Sequence, residues 1–119
     1  MSNARPNARH ASPAKLAERD ITRTVRDYLE LRGWRPVRIN AGPFGKAGMP
    51  DFLWLHYKRG LHFWTEFKAP TGRVGPLQAE WIEAERKRGA TVLVVGDVDA
   101  FISFYEERFG KEGQGRFEL

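Results

Sequence analysis

Two apolar, aromatic-rich segments, Asp51 to Tyr57 and Leu61 to Lys68, stand only three residues apart across Lys58-Arg59-Gly60. So short a spacing leaves no room for a crossover, and the two segments are expected to pair antiparallel as a hairpin. Alternate side chains of a strand share a face. Phe63, Thr65 and Phe67 therefore look one way, and Glu66 and Lys68 look the other. A chain built on this pair needs a sheet whose one face meets a core, while its other face carries a carboxylate beside an ammonium.

The elements around the hairpin follow from period and punctuation. Ala17 to about Arg32 has helical spacing, with Ile21, Val25, Tyr28 and Leu29 on one face and Gly33 as the stop. Trp34 to Asn40 alternates as a strand, with Val37 and Ile39 on one side. A glycine-rich loop from Ala41 to Gly48 leads to Met49-Pro50-Asp51. After Pro70 and a loop through Gly75, Pro76 at a first helical position predicts a helix to about Arg88, ended by Gly89 and burying Leu77, Trp81, Ile82 and Ala84. Thr91 to Val95, a β-branched run, predicts a strand buried on both faces. Val98 to about Phe109 reads as a last amphipathic helix carrying Phe101, Ile102 and Tyr105. The order is αβββαβα, without internal repeat.

With 119 residues, four Trp and eight Phe, the chain can bury one ordinary core. Residues 17–110 are expected to form that single domain, between a flexible basic arm at 1–16 and a polar tail at 111–119. No apolar run approaches eighteen residues and the N-terminus lacks the apolar stretch of a signal peptide, so no membrane partner and a cytoplasmic location are expected. The absence of Cys removes disulfides, thiol nucleophiles and Cys-based zinc sites, leaving carboxylates and three His as possible ligands. The net charge of +5 is uneven: residues 1–16 hold three bases and no acid, and residues 97–119 hold six acids and three bases. The centre of the chain is therefore basic, which suits a polyanion.

The chemistry gathers where the hairpin opens. If Asp51 begins one strand and Glu66 lies near the end of the other, both fall at the same end of the pair and can meet across it. Two carboxylates with open positions suit Mg²⁺ or Mn²⁺, hard cations that keep waters and share phosphate oxygens. Glu18 adds a third acid: at about 100° per residue it falls about 60° from Ile21, within the apolar face, whereas Asp20 falls about 100° away on the other side. An acid facing a core calls for a charged partner or a metal. The plainer reading is a carboxylate favoured by the helix N-terminus.

These residues together resemble a known family. Glu18-Arg19-Asp20-Ile21 in the first helix, Gly48-Met49-Pro50-Asp51, Glu66-Phe67-Lys68, and Gly72-Arg73-Val74-Gly75-Pro76-Leu77-Gln78 are similar to the VRR-NUC domain, the virus-type replication-repair nuclease branch of the PD-(D/E)xK superfamily. The resemblance spans roughly residues 17–105 and implies an α/β, restriction-endonuclease-like αβββαβ core, a central mixed sheet flanked by helices. It implies that Asp51, Glu66, the backbone carbonyl of Phe67, and Glu18 on the first helix hold Mg²⁺ or Mn²⁺. Lys68 matches the lysine that orients or activates the attacking water, and Gln78 a glutamine opening the next helix. Gly75 departs from the Ser that often caps that helix, but Gly also serves as an N-cap.

The implied activity is hydrolysis of DNA phosphodiesters by a phage-like, stand-alone endonuclease acting in DNA repair or replication. Branched or junction DNA is the expected substrate, and a homodimer is the expected active form, with Trp54, Trp64 or Tyr105 as interface candidates, although burial in the monomer core is the plainer expectation for each of the three. The alternative is a non-catalytic nucleic-acid-binding module with the same fold. Lys46 and Arg73, each in a Gly-rich loop, are phosphate-contact candidates or else ordinary solvated charges. His62 shares a strand face with Glu66 but stands about 13 Å away at about 3.3 Å per residue. A structural or surface role is expected for it and for His56.

Overall fold

The computed structural model describes residues 13–39 and 48–110. They form α1 (Pro13–Leu31), β1 (Arg35–Arg38), β2 (Phe52–His56), β3 (Leu61–Phe67), α2 (Pro76–Lys87), β4 (Val92–Val95) and α3 (Val98–Phe109), in the expected order. The strands make one mixed sheet ordered β1-β2-β3-β4. β1, β2 and β3 are antiparallel neighbours, and β4 runs parallel to β3. The parallel pair needs a long connection, which α2 supplies.

One face of the sheet is closed by α1 and α3. Ile21, Val25 and Leu29 recur at helical spacing on α1 and are buried with Phe101, Tyr105 and Phe109 of α3 against Phe52, Trp54, Phe63 and Phe67. Burying one such side chain contributes about 1.5–3 kcal/mol. Its polar atoms are matched: Trp54 Nε1–H donates to Thr65 Oγ1 at 2.9 Å, and Trp34 Nε1–H to the Tyr105 hydroxyl at 2.9 Å. On the other face α2 buries Ile82, and its Trp81 meets Trp64 edge-on at 5.1 Å between ring centroids.

Several expectations need correction. α1 begins at Pro13, four residues before Ala17, so its first turn lies in the stretch read as arm. Leu77 is 59% exposed and Ala84 is exposed, because α2 lies on the sheet along a narrow stripe centred on Ile82. The β-branched run 91–95 is not buried on both faces: β4 is an edge strand, and Val94 is 40% exposed. As the plainer expectation had it, Trp54 and Tyr105 are buried and Trp64 is half-buried against Trp81, so packing within the chain already occupies the three aromatics named for a dimer interface. Among the described residues, no helix is long and apolar enough to cross a membrane.

Candidate active site

Strand register sets the site. Phe52 pairs with Thr65, and continuing that antiparallel register by one residue sets Asp51 opposite Glu66. Asp51 is held from both sides, its carbonyl accepting the Ile39 N–H at 2.8 Å and its Oδ2 accepting the Phe67 N–H at 3.0 Å. In an extended strand the N–H and C=O of one residue share an edge, so the Phe67 carbonyl also lies on the Asp51 side of β3. The approach to Asp51 depends on Gly48, whose φ is +90° and whose added Cβ would stand 2.6 Å from the Leu77 carbonyl oxygen. Only glycine lets this loop pass so close to the start of α2.

Glu66 is 4% exposed on the face opposite Phe63, Thr65 and Phe67. Its Oε2 accepts from Gln78 Nε2 at 2.8 Å and pairs with Lys68 Nζ at 3.2 Å, while its Oε1 is buried without a hydrogen-bond partner. Gln78 is oriented in turn by the N-cap of α2, where the Gly75 N–H donates to Gln78 Oε1 at 3.2 Å. That bond assigns the amide, leaving its NH₂ for Glu66. Gly75 is extended, at φ −73° and ψ 166°, and Gln78 supplies the half of a capping box that does not need a cap side chain.

Burial, and after it the charge of Asp51, pushes the Glu66 carboxyl above its usual range; Lys68 and Gln78 pull the other way without cancelling the rise. A carboxylate buried beside a second one, with one oxygen unpartnered, is costly for a fold to keep. A cation between the two acids would relieve both the burial and the repulsion. Two carboxylates and a nearby backbone carbonyl are hard oxygen donors of the kind that suit Mg²⁺ or Mn²⁺.

Glu18 is half-buried on α1 and lines a cleft of about 570 Å³ with Arg26, Arg38, Asp51, Phe52 and Phe67 among its neighbours. Its rival Asp20 is exposed and pairs with Arg23 at 2.9 Å. The cleft opens on the α1 side of the sheet, whereas Glu66, Lys68 and Gln78 lie on the α2 side. Asp51 stands at the sheet end between them. Among the described residues no three His, Asp or Glu side chains form a compact metal-holding group. The residues brought together are thus Asp51, Glu66, Lys68 and Gln78, while Glu18 shares with Asp51 only the lining of the cleft on the α1 side.

Lys46 lies outside the described residues, and Arg73 is exposed on the loop before α2. His56 is buried between two backbone groups, its Nε2 3.0 Å from the Arg32 carbonyl oxygen and its Nδ1 accepting the Arg59 N–H at 3.3 Å. Those partners put the proton on Nε2 and give His56 a structural role. His62 is exposed. Arg26 and Arg38 escaped sequence reasoning, which considered only the apolar face of α1 and the acids Glu18 and Asp20. The available signal was the spacing of Arg19, Arg23 and Arg26, which sets three guanidinium groups along one helix face.

No family model and no curated protein matches the chain. A solved structure described as a VRR_NUC domain does match, with a TM-score of 0.66 and 26% identity over 78% of this chain and 97% of the other. Helices on both faces of a four-stranded mixed sheet, an acid before β2, and Glu-x-Lys on β3 opposite it accompany that likeness. The chain has a VRR-NUC-like fold of the restriction-endonuclease-like α/β class.

Proposed function

We propose that the protein is a Mg²⁺- or Mn²⁺-dependent endonuclease that hydrolyses DNA phosphodiesters. The observation that carries this reading is Glu66, a carboxylate buried beside Asp51, gripped through one oxygen by Lys68 and Gln78 and left unpartnered at the other. Asp51, Glu66 and the Phe67 carbonyl would hold the ion, with Glu18 supporting it from the cleft. When bound, such an ion supplies Lewis-acid polarisation of the phosphodiester and an acidified water. The chain's own groups do the rest. Gln78 fixes the Glu66 carboxylate, and Lys68 spends one N–H donor on Glu66 and keeps others to orient the attacking water or steady a phosphate oxygen. The substrate in this reading is DNA, with branched or junction DNA the favoured form. A homodimer would allow paired cuts on a two-fold junction. Lys46 and Arg73, each in a glycine-rich stretch of the sequence, are proposed phosphate contacts.

The lack of a compact three-acid group among the described residues favours the second reading, a nucleic-acid-binding module without catalysis. One experiment separates the two. Labelled linear, flap and four-way-junction DNAs are incubated with the wild type, Asp51→Asn and Glu66→Gln in Mg²⁺, Mn²⁺ or chelator. The nuclease reading expects divalent-dependent cleavage by the wild type alone, with junction DNA cut fastest and DNA binding retained in both variants. Full activity of either variant sinks the assignment of the acids; DNA binding without cleavage by any form supports the module.

A further inference from the structure

The cleft on the α1 side of Asp51 has a feature that metal binding leaves unused. Two guanidinium groups from different elements converge on one ring: Arg26 of α1 lies 5.6 Å, and Arg38 of β1 5.4 Å, from the centroid of Phe52. Phe52 follows Asp51 directly in the chain, so the two cations are tied to the residue proposed to hold the ion. Both also line the 570 Å³ cleft, together with Asp51 and Glu18.

We infer that Arg26 and Arg38 form a clamp for a backbone phosphate of the DNA strand that enters the site. The inference rests on the nuclease reading and adds the path by which substrate reaches Asp51. Arg38 is exposed and has no acidic partner among the described residues. Arg26 pairs with Glu30 at 3.6 Å, both side chains about two-fifths exposed. A solvated pair of this kind is worth roughly 0–1 kcal/mol, so Arg26 can exchange it for a phosphate at little cost. Guanidinium suits the task better than ammonium because its planar fork meets two phosphate oxygens at once. The cleft carries arginines and acids in equal number. Holding a divalent ion at Asp51 would therefore leave it positive and couple DNA affinity to metal loading. The competing account is that the two arginines merely shield Phe52 from water with their stems.

The test uses Asp51→Asn protein, chosen because the nuclease reading expects it to bind without cutting, and a short labelled DNA duplex titrated by fluorescence anisotropy over a series of salt concentrations. Arg26→Met and Arg38→Met keep an unbranched apolar chain over Phe52 and remove only the charge. Each should lower the magnitude of the slope of log K against log salt by about 0.9, and the double variant by about twice that. Arg38→Lys should recover most of the slope, whereas Arg88→Met, at a cation paired with Glu85 beyond the end of α2, should leave it unchanged. Slopes equal to the Asp51→Asn parent, with or without a loss of melting temperature, overturn the clamp, as does absence of DNA binding by the parent. Failure of the nuclease reading would instead appear as uncut DNA with the wild type while the arginine-dependent slopes persist.

Discussion

The two faces of β3 are made by neighbouring residues of one strand and are governed by opposite rules. On the α1 and α3 side, Phe63, Thr65 and Phe67 are at most 1% exposed, and the one hydroxyl among them is matched by Trp54. On the α2 side Glu66 is also buried, but beside a like charge and with an oxygen unpartnered. The first face is what a stable sheet requires. The second retains a cost that packing alone would remove by placing an apolar residue at position 66, and local conflict of this sort is expected where function overrides stability. The strand teaches that burial by itself says little; what matters is whether the buried group's needs are met.

The sharpest way to break the contrast is to damage the satisfied face. Phe63→Ala leaves a cavity under Trp34, Trp54 and Phe109 and should cost about 3–5 kcal/mol, enough to threaten a small domain whose whole stability is about 5–15 kcal/mol. A chemical denaturation curve checks it, and a loss under about 1 kcal/mol would mean that the core collapses around the gap. On the other face, Lys68→Ala should leave the fold intact and lower the cleavage rate by about 10²–10⁴-fold with divalent-ion affinity preserved. Rescue of that variant by excess Mn²⁺ would give the lysine a structural role instead.

The smallest effect is the most diagnostic of the conflict. Because the folded-state pKa of Glu66 is raised, the folded state holds the proton more tightly than the unfolded chain. Its ionisation therefore destabilises the fold, and stability falls as pH rises from the ordinary carboxylate range through the raised value. Glu66→Gln removes this dependence. The variant should melt no lower than the wild type at neutral pH, and the gap between them should narrow as pH falls toward the ordinary carboxylate range. A lower melting temperature for the variant at neutral pH, shrinking under acid, would mean that the Lys68 and Gln78 contacts outweigh burial.

What could be read from the chain itself divides along the same line. The hairpin, its register at Asp51 and Glu66, and both ends of α3 were legible because alternation, the short turn and the glycine stops act within a few residues. The Asp51–Phe67 bond and the Gln78–Glu66 bond were not read from the sequence, which through that register and the Gly75-Pro76 helix start only brings their elements near one another. Other features depended on distant partners. The exposure of Leu77 and Val94 is set by where α2 lies on an edge strand, which no local pattern encodes. The convergence of Arg26 and Arg38 on Phe52 joins residues from three elements, and only the folded chain brings them together. The early start of α1 did have a local signal, Pro13 at the first helical position. It was masked by the Ala, Asn, Ser and Arg around it, which read as an arm.

The central claim is that the unmet needs of Glu66 and Asp51 are those of a cation site. Calorimetric titration of Mn²⁺ into wild-type protein, Asp51→Asn and Glu66→Gln tests it without relying on catalysis. The account predicts saturable binding by the wild type that is at least tenfold weaker in each variant, a change of about 1.4 kcal/mol or more. Equal Mn²⁺ affinity in all three proteins would contradict it.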